Sequence, residues 1–298
     1  MIVNQANLNS LFDGFNTRFN QAFEGAASYV DSIAMTVPST ARQETYSWLG
    51  AMPGFREWVG PRILHNLSLQ SYAIKNKSFE STITVPRDDI EDDQYGVFGP
   101  MFSELGRRAK THPDELLFAL MKAAFSTNCY DGQNFFDTDH PVGDGAIVPV
   151  GSVANTDGGS GAPWFLLDTS RAVRPFIWQL RRNYQLVRKD QPNDDHVFMN
   201  KEFIYGTDAR CNLGLGLWQL AWGSKQPLDA EHYKTARAAM MGFKDDAGQL
   251  LGIVPDTLVC GATNESAARK LLNSELSTGG ESNEWKGTAK LIVTPYLE

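Results

Sequence analysis

The sequence predicts an α+β fold, and two kinds of stretch carry that prediction. Residues 7–25, NLNSLFDGFNTRFNQAFEG, place Leu8, Leu11, Phe12, Phe15, Phe19 and Phe23 at helical spacing, and residues 99–125 hold a second apolar stripe. Residues 67–85 and 164–189 are instead rich in the β-branched and aromatic residues of strands.

At 298 residues the chain can form one broad domain or two ordinary ones. A hydrophobic fraction of 42% with 7 tryptophans marks a folded globular protein. The formal net charge of −8 argues against a general nucleic-acid binder, which needs clustered Lys and Arg, and suits a container that repels DNA. The N-terminus lacks a basic start followed by an apolar run, so no secretory signal is expected. No run of about 18 apolar residues predicts a membrane span. Cys129, Cys211 and Cys260 are odd in number and widely spaced, which reads as free, buried thiols in a reducing compartment.

In chain order, the first helix has Asn7, Asn9 or Ser10 as candidate caps and Gly25 as its end. Its aromatic face fits either the subunit's own core or a neighbouring subunit. Residues 48–61, WLGAMPGFREWVGP, are punctuated by glycine and proline and read as a hinge. Leu67, Leu69, Tyr72 and Ile74, then Phe79, Ile83 and Val85, predict two strands around a turn near Asn76 and Lys77. Nothing after them reads as a third strand, and a two-stranded ribbon alone in water is marginal. Such an arm has to rest on its own body or on another chain.

The acidic run Asp88, Asp89, Glu91, Asp92 and Asp93 reads as preceding a helix, the one that begins at Gly99, where carboxylates meet the positive end of the dipole, in preference to a calcium loop. The helix beginning at Gly99 is expected to break at Pro113, with His112 in the turn and Asp114 and Glu115 opening the next helix. Residues 164–189 interleave Arg171, Arg174, Arg181, Arg182, Arg188 and Lys189 with strand formers. That pattern can bind single-stranded nucleic acid; the acidic whole favours a charged outer face, matched to Asp88–Asp93 of another copy. NLGLGLWQLA lacks the spacing of a nucleotide loop, so its glycines mark close backbone approach. A helix capped by Asp229 and ended by Gly242, a strand at 253–261, a helix with Ala267, Leu271 and Leu272 inward and a final strand complete the chain.

YDGQNFFDTDHPV, residues 130–142, crowds Asp131, Asp137, Asp139 and His140 into ten positions. Such groups can hold a metal or run acid–base chemistry, yet no second ligand cluster completes a site. The favoured reading is a structural loop whose carboxylates bond nearby amides and whose Phe135 and Phe136 anchor it in the core.

The order of these segments, with TITVPRDDIEDDQYG, CYDGQNFFDTDHP, PWFLLDTS, KEFIYGTDAR, GLWQLA and FKDDAGQLLGIVPDTLV, resembles the major head (capsid) proteins of Mu-like phages, the gpT family. The resemblance covers nearly the whole chain. It implies a Hong Kong 97-type capsid fold with an N-terminal arm (1–47), a hinge and extended hairpin loop (48–93), a spine helix and peripheral domain (94–222), an axial domain (223–285) and a C-terminal strand returning to the peripheral domain (286–298). It further implies a shell subunit, assembled from pentamers and hexamers in the host cytoplasm and residing in the virion. Its partners would be scaffold, portal and head-decoration proteins and enclosed double-stranded DNA. No membrane, cofactor, metal or catalytic residue is expected. Candidate contacts between copies are Phe12, Phe15 and Phe19, then Trp48, Phe55 and Trp58, then Tyr72, Ile74, Phe79 and Ile83, with Arg181 and Arg182. The alternatives are an encapsulin-like compartment and a metal-dependent hydrolase using the 131–140 loop.

Overall fold

A computed structural model describes residues 2–49, 72–92, 94–143, 148–277 and 280–298. The first helix, α1 (Gln5–Gly25), buries Leu8, Leu11, Phe15 and Phe19, the stripe its periodicity predicts. Its cap is Asn4, whose side chain accepts from the Asn7 amide; the expected caps lie inside the helix. A short α2 (Val30–Ile33) leads to β1 (Ala34–Pro38) and β2 (Gln43–Thr45). Then come β3 (Ala73–Lys75), β4 (Lys77–Pro86), α3 (Arg87–Glu91) and α4 (Gly99–Ala123). Of the acidic run, Asp88, Asp89 and Glu91 lie within α3, the first two in its first turn, and Asp92 follows it; Asp93 lies outside the described residues.

The predicted hairpin is corrected. β3 pairs with β2, and β4 pairs with a distant strand, Lys77 lying opposite Cys211. Asn76 alone separates β3 from β4, too little for even a two-residue hairpin turn. Its side chain is buried and tied down: the amide donates to Ser39 Oγ (2.8 Å) and the Ala41 carbonyl (2.9 Å), and its oxygen accepts from Gln179 Nε2 (2.8 Å). The chain therefore runs straight on and β4 joins a larger sheet. The Leu67 and Leu69 part of that reading, like the hinge beyond Leu49, lies outside the described residues.

The expected break at Pro113 is also corrected: α4 runs unbroken for 25 residues with Pro113 inside. An interior proline costs a helix about 3 kcal/mol. Here packing on both sides outweighs it, because Phe102, Leu105 and Ala109 belong to one hydrophobic cluster and Leu117, Phe118 and Met121 to another. Asp114 does not start a helix; it is buried and accepts from Ser28 Oγ (2.9 Å) and the amides of Tyr29 (2.8 Å) and Val30 (2.9 Å), fixing α2 to the middle of α4. His112 is helical as well, hydrogen-bonded to the Tyr184 hydroxyl and edge-on to Phe79 at 4.4 Å.

After α4 come β5 (His140–Val142), β6 (Gly151–Val153), β7 (Thr156–Gly159), β8 (Trp164–Leu167), β9 (Phe176–Lys189), α5 (Asp195–Asn200) and β10 (Glu202–Leu215). β11 (Ala221–Lys225), α6 (Ala230–Met241), β12 (Thr257–Cys260), α7 (Ala262–Asn273) and β13 (Lys290–Val293) follow. Asp229 caps α6 by accepting from the His232 amide, and Gly242 ends it.

A four-stranded sheet has the order β1-β9-β10-β4, antiparallel except where β1 meets β9. α1 and α4 cover it, and with Tyr205, Phe203 and Val85 they form the smaller cluster. A five-stranded sheet, β13-β12-β8-β11-β7, lies in the larger cluster together with residues of α6 and α7. The C-terminal strand pairs with β12 in this second sheet, so it does not return to the four-stranded one.

Two glycines test the α1–α4 seam with opposite signs. A Cβ at Gly106 would lie 2.2 Å from the Phe19 carbonyl oxygen, whereas one at Gly14 meets nothing within 4 Å. Gly106→Ala should destabilise by about 2 kcal/mol or more, and Gly14→Ala should stabilise by about 1 kcal/mol. Urea unfolding of the two variants beside the parent chain reads both.

Candidate functional site

The 129–155 region is built around two buried polar side chains. His140 opens β5 with no exposed surface, and its ring stacks on Trp218 with centroids 4.0 Å apart and planes 11° from parallel. Its Nδ1 pairs with Asp131 Oδ2 at 2.7 Å, and its Nε2 lies 3.2 Å from Asn155 Oδ1. Asp131 Oδ1 accepts from Cys129 Sγ (3.0 Å) and the Gln133 amide (3.0 Å). Asn155, fully buried, donates through Nδ2 toward the carbonyls of Phe135 (2.8 Å), Ala221 (3.3 Å) and Trp218 (3.4 Å), while its oxygen accepts from the Asp137 amide (2.9 Å). One asparagine thus joins three segments of chain.

Asp137 accepts from the Asn134 amide, Asn134 Nδ2 and the Thr138 amide, which is the local bonding expected of it. Asp139 is exposed, and its backbone carbonyl accepts from Gln133 Nε2 at 3.5 Å. Phe135 and Phe136 are buried within an aromatic group that includes Phe125, Phe165 and Phe176. Gly223 leaves room for that group, since a Cβ there would lie 2.7 Å from the Phe136 ring.

The electrostatics suit a pin better than a reactive centre. Burial, then the Asp131 carboxylate, pushes the Cys129 thiol far above its usual range, so it stays protonated as a hydrogen-bond donor. Burial alone would raise the Asp131 carboxyl, but bonds from His140 and Cys129, the charge of His140 and the Gln133 amide together hold it below the usual value. Cys129, Asp131 and His140 are the one group among the described residues whose ligand atoms converge for a metal, all within 4.8 Å. Yet these side chains are at most 6% exposed and bonded to one another, so the arrangement offers no open position for water or substrate.

The candidate contact residues divide sharply. Phe15, Phe19 and Ile74 are buried in the subunit's own clusters, so they offer no face to another copy. Phe12 is partly buried under Arg188, 4.6 Å from the ring, and Phe79 lies against His112. Ile83 packs in the smaller cluster, and the Tyr72 hydroxyl accepts from the Leu215 amide at 2.8 Å. Trp48, Arg181 and Arg182 are exposed, whereas Phe55 and Trp58 lie outside the described residues. The largest exposed apolar side chains on the β9–β10 hairpin escaped the sequence reading: Phe198, 80% exposed, and Met199, 75% exposed, sit on α5 at its tip. The available signal was an apolar pair in the polar segment QPNDDHVFMNKE.

Asp131 should be worth about 3 kcal/mol at neutral pH, measured as the loss on Asp131→Ala. Because its folded pKa is depressed, the ionisation-linked part of that contribution is complete above the ordinary aspartate value of 3.8 and is lost as pH falls through the lower folded value. Urea unfolding of parent and variant between pH 2 and 7 should therefore show a stability gap that is constant near neutrality and narrows only at the acid end.

Comparison with known proteins agrees with a structural reading. The family described as Mu-like prophage major head subunit gpT matches residues 8–297. The chain is 43% identical to the major capsid protein of Escherichia phage Mu over the full length of both. It is similar to a chain of the procapsid of bacteriophage JBD30, with a TM-score of 0.89 and 40% identity over 99% of this chain and 100% of that one. It is also similar to a chain of the JBD30 capsid decorated with minor capsid protein trimers, with a TM-score of 0.78 and 31% identity over 100% of both. The α+β arrangement is thus the Hong Kong 97-type capsid fold. The compartment and hydrolase alternatives lose their ground, and the chain belongs to the Mu-like prophage major head subunit gpT family, as a major capsid protein and a structural component of the virion.

Proposed function

We propose that many copies of this chain associate into pentamers and hexamers that close as an icosahedral head around double-stranded DNA. Family membership over residues 8–297 carries this reading. The acidic balance supports it, since a net charge of −8 favours enclosing DNA without gripping it. Repeated head-to-tail contacts between identical copies generate rings when the rotation closes. The chain acts without catalysis, with the Cys129–Asp131–His140 knot as an internal brace.

Scaffold, portal and decoration proteins are the further partners, and assembly takes place in the host cytoplasm. The decorated JBD30 capsid supports the decoration partner by analogy. The chain divides into segments 1–47, 48–93, 94–222, 223–285 and 286–298, with two strands paired outside their own segments. β4 goes with the four-stranded sheet through β10, and β13 goes with the five-stranded sheet through β12, a sheet that takes strands from both 94–222 and 223–285.

Phe198→Asp combined with Met199→Asp should leave stability within about 0.5 kcal/mol, because both side chains are exposed, yet lower shell yield by about tenfold or more. Negative-stain imaging and sedimentation of parent and variant read this. Normal shells from the variant would remove the hairpin tip from assembly; a parent chain that stays monomeric at every concentration would overturn the shell itself.

A further inference from the structure

The length of sheet spanned by β4, which runs from the middle of β9 and β10 to their connecting tip, carries opposite charge at its two ends. At one end the register places Arg182 opposite Arg210, Arg210 opposite Ser78, and Cys211 opposite Lys77. Lys75 on β3 and Arg42, whose carbonyl accepts from the Asn76 amide, adjoin them, and Arg181 is exposed beside Arg182. The acids at this end are Glu44, Glu80 and Asp208. Asp208 pairs with Arg182, while Glu44 is turned toward Ser39 Oγ and the amides of Thr40 and Ala41. Arg42, Lys75, Lys77, Arg181 and Arg210 make no ion pair among the described residues.

At the other end Glu202 lies opposite Pro86, and the Arg87 amide donates to the Lys201 carbonyl, so α3 abuts the tip of the β9–β10 hairpin. Asp88 and Asp89 in α3 and Asp92 just after it lie at this end, and Asp194 and Asp195 open α5, which carries the exposed Phe198 and Met199. The cations present are largely committed: Arg87 to Glu91 at 2.8 Å, Arg188 to Asp190 at 3.3 Å and Lys201 to Asp88 at 3.7 Å, with Lys189 nearby. Asp89, Asp92 and Asp195 make no ion pair among the described residues.

Eight strand steps from Ser78 to Pro86 separate the ends by about 26 Å. That is roughly three Debye lengths at physiological salt, so the two ends cannot neutralise each other within one copy. A second copy can satisfy both. We infer that the hairpin tip of one copy, with Phe198 and Met199 as apolar anchors and the neighbouring Asp88, Asp89 and Asp92 as its charge, docks on the Arg181–Arg182 region midway along the same sheet in the next copy. This rests on the shell reading and names the surfaces that would join its subunits. The contact is heterologous: each copy offers one tip and one basic end, and steering by complementary charge sets the order of docking.

The test uses the full chain. Arg181→Glu with Arg182→Glu, and separately Asp88→Lys with Asp89→Lys and Asp92→Lys, should each cut particle formation by about tenfold or more in about 0.1 M salt. All five reversals in one chain should restore it, and circular dichroism with thermal melting establishes that each variant folds. In parallel, Arg182→Cys and Asp89→Cys chains are mixed under oxidation; a cross-linked heterodimer is expected from the mixture and not from either chain alone. Particles that form normally in both reversed variants, or folded five-fold variants that fail to recover, would overturn the pairing. Shells without the cross-link would sink the docking and leave the shell standing. The cross-link without shells would do the reverse.

Discussion

Two hydrophobic cores share three elements, and the continuity of α4, β9 and β10 through both is the constraint on which the rest of the structure depends. α4 gives Phe102, Leu105 and Ala109 to the smaller core and Leu117, Phe118 and Met121 to the larger. β9 and β10 do the same, with Leu186, Phe203 and Tyr205 in one and Ile177, Trp178, Ala209 and Cys211 in the other. An element shared in this way cannot bend at the junction without opening both cores. That is why Pro113, placed between the two sets of contacts, is held in helix although an isolated peptide would break there.

The same constraint shapes the polar interior. Buried polar groups are tolerated where every partner is present, and here they act as crossing points between segments. Asp114 ties α2 to α4, Asn76 and Gln179 tie the 39–46 segment to β9, and Asn155 ties the 131–140 loop to the residues flanking β11. The Cys129–Asp131–His140 knot belongs to this set. Its residue types are those of a reactive centre, but burial, mutual bonding and a protonated thiol turn the chemistry inward. Interlocked polar crossings hold the segments against one another through directional bonds that apolar contact does not supply.

What remains outward is also informative. The exposed hairpin tip, the acidic residues beside it and the basic residues midway along β9 and β10 lie where no core claims them. Several aromatic residues that look like docking residues in sequence, such as Phe15 and Phe19, are consumed by the subunit's own folding. Sequence periodicity cannot separate these cases, because a stripe that faces its own sheet and one that faces a neighbour obey the same spacing.

The sequence by itself determined the elements whose signals are local. The faces of α1, the Asp229 cap and Gly242 stop of α6, and the self-bonding of Asp137 all follow from residues a turn or less apart. Segment order and short motifs were likewise enough to reach the family. Tertiary structure alone decided what depends on distant partners. β4 leaves β3 for β10 because Asn76 is held by residues 37 and 103 positions away, and Lys77 meets Cys211 only in the folded chain. The burial of His140 against Trp218 and the exposure of Phe198 are likewise properties of the assembled cores, and no local pattern encodes them.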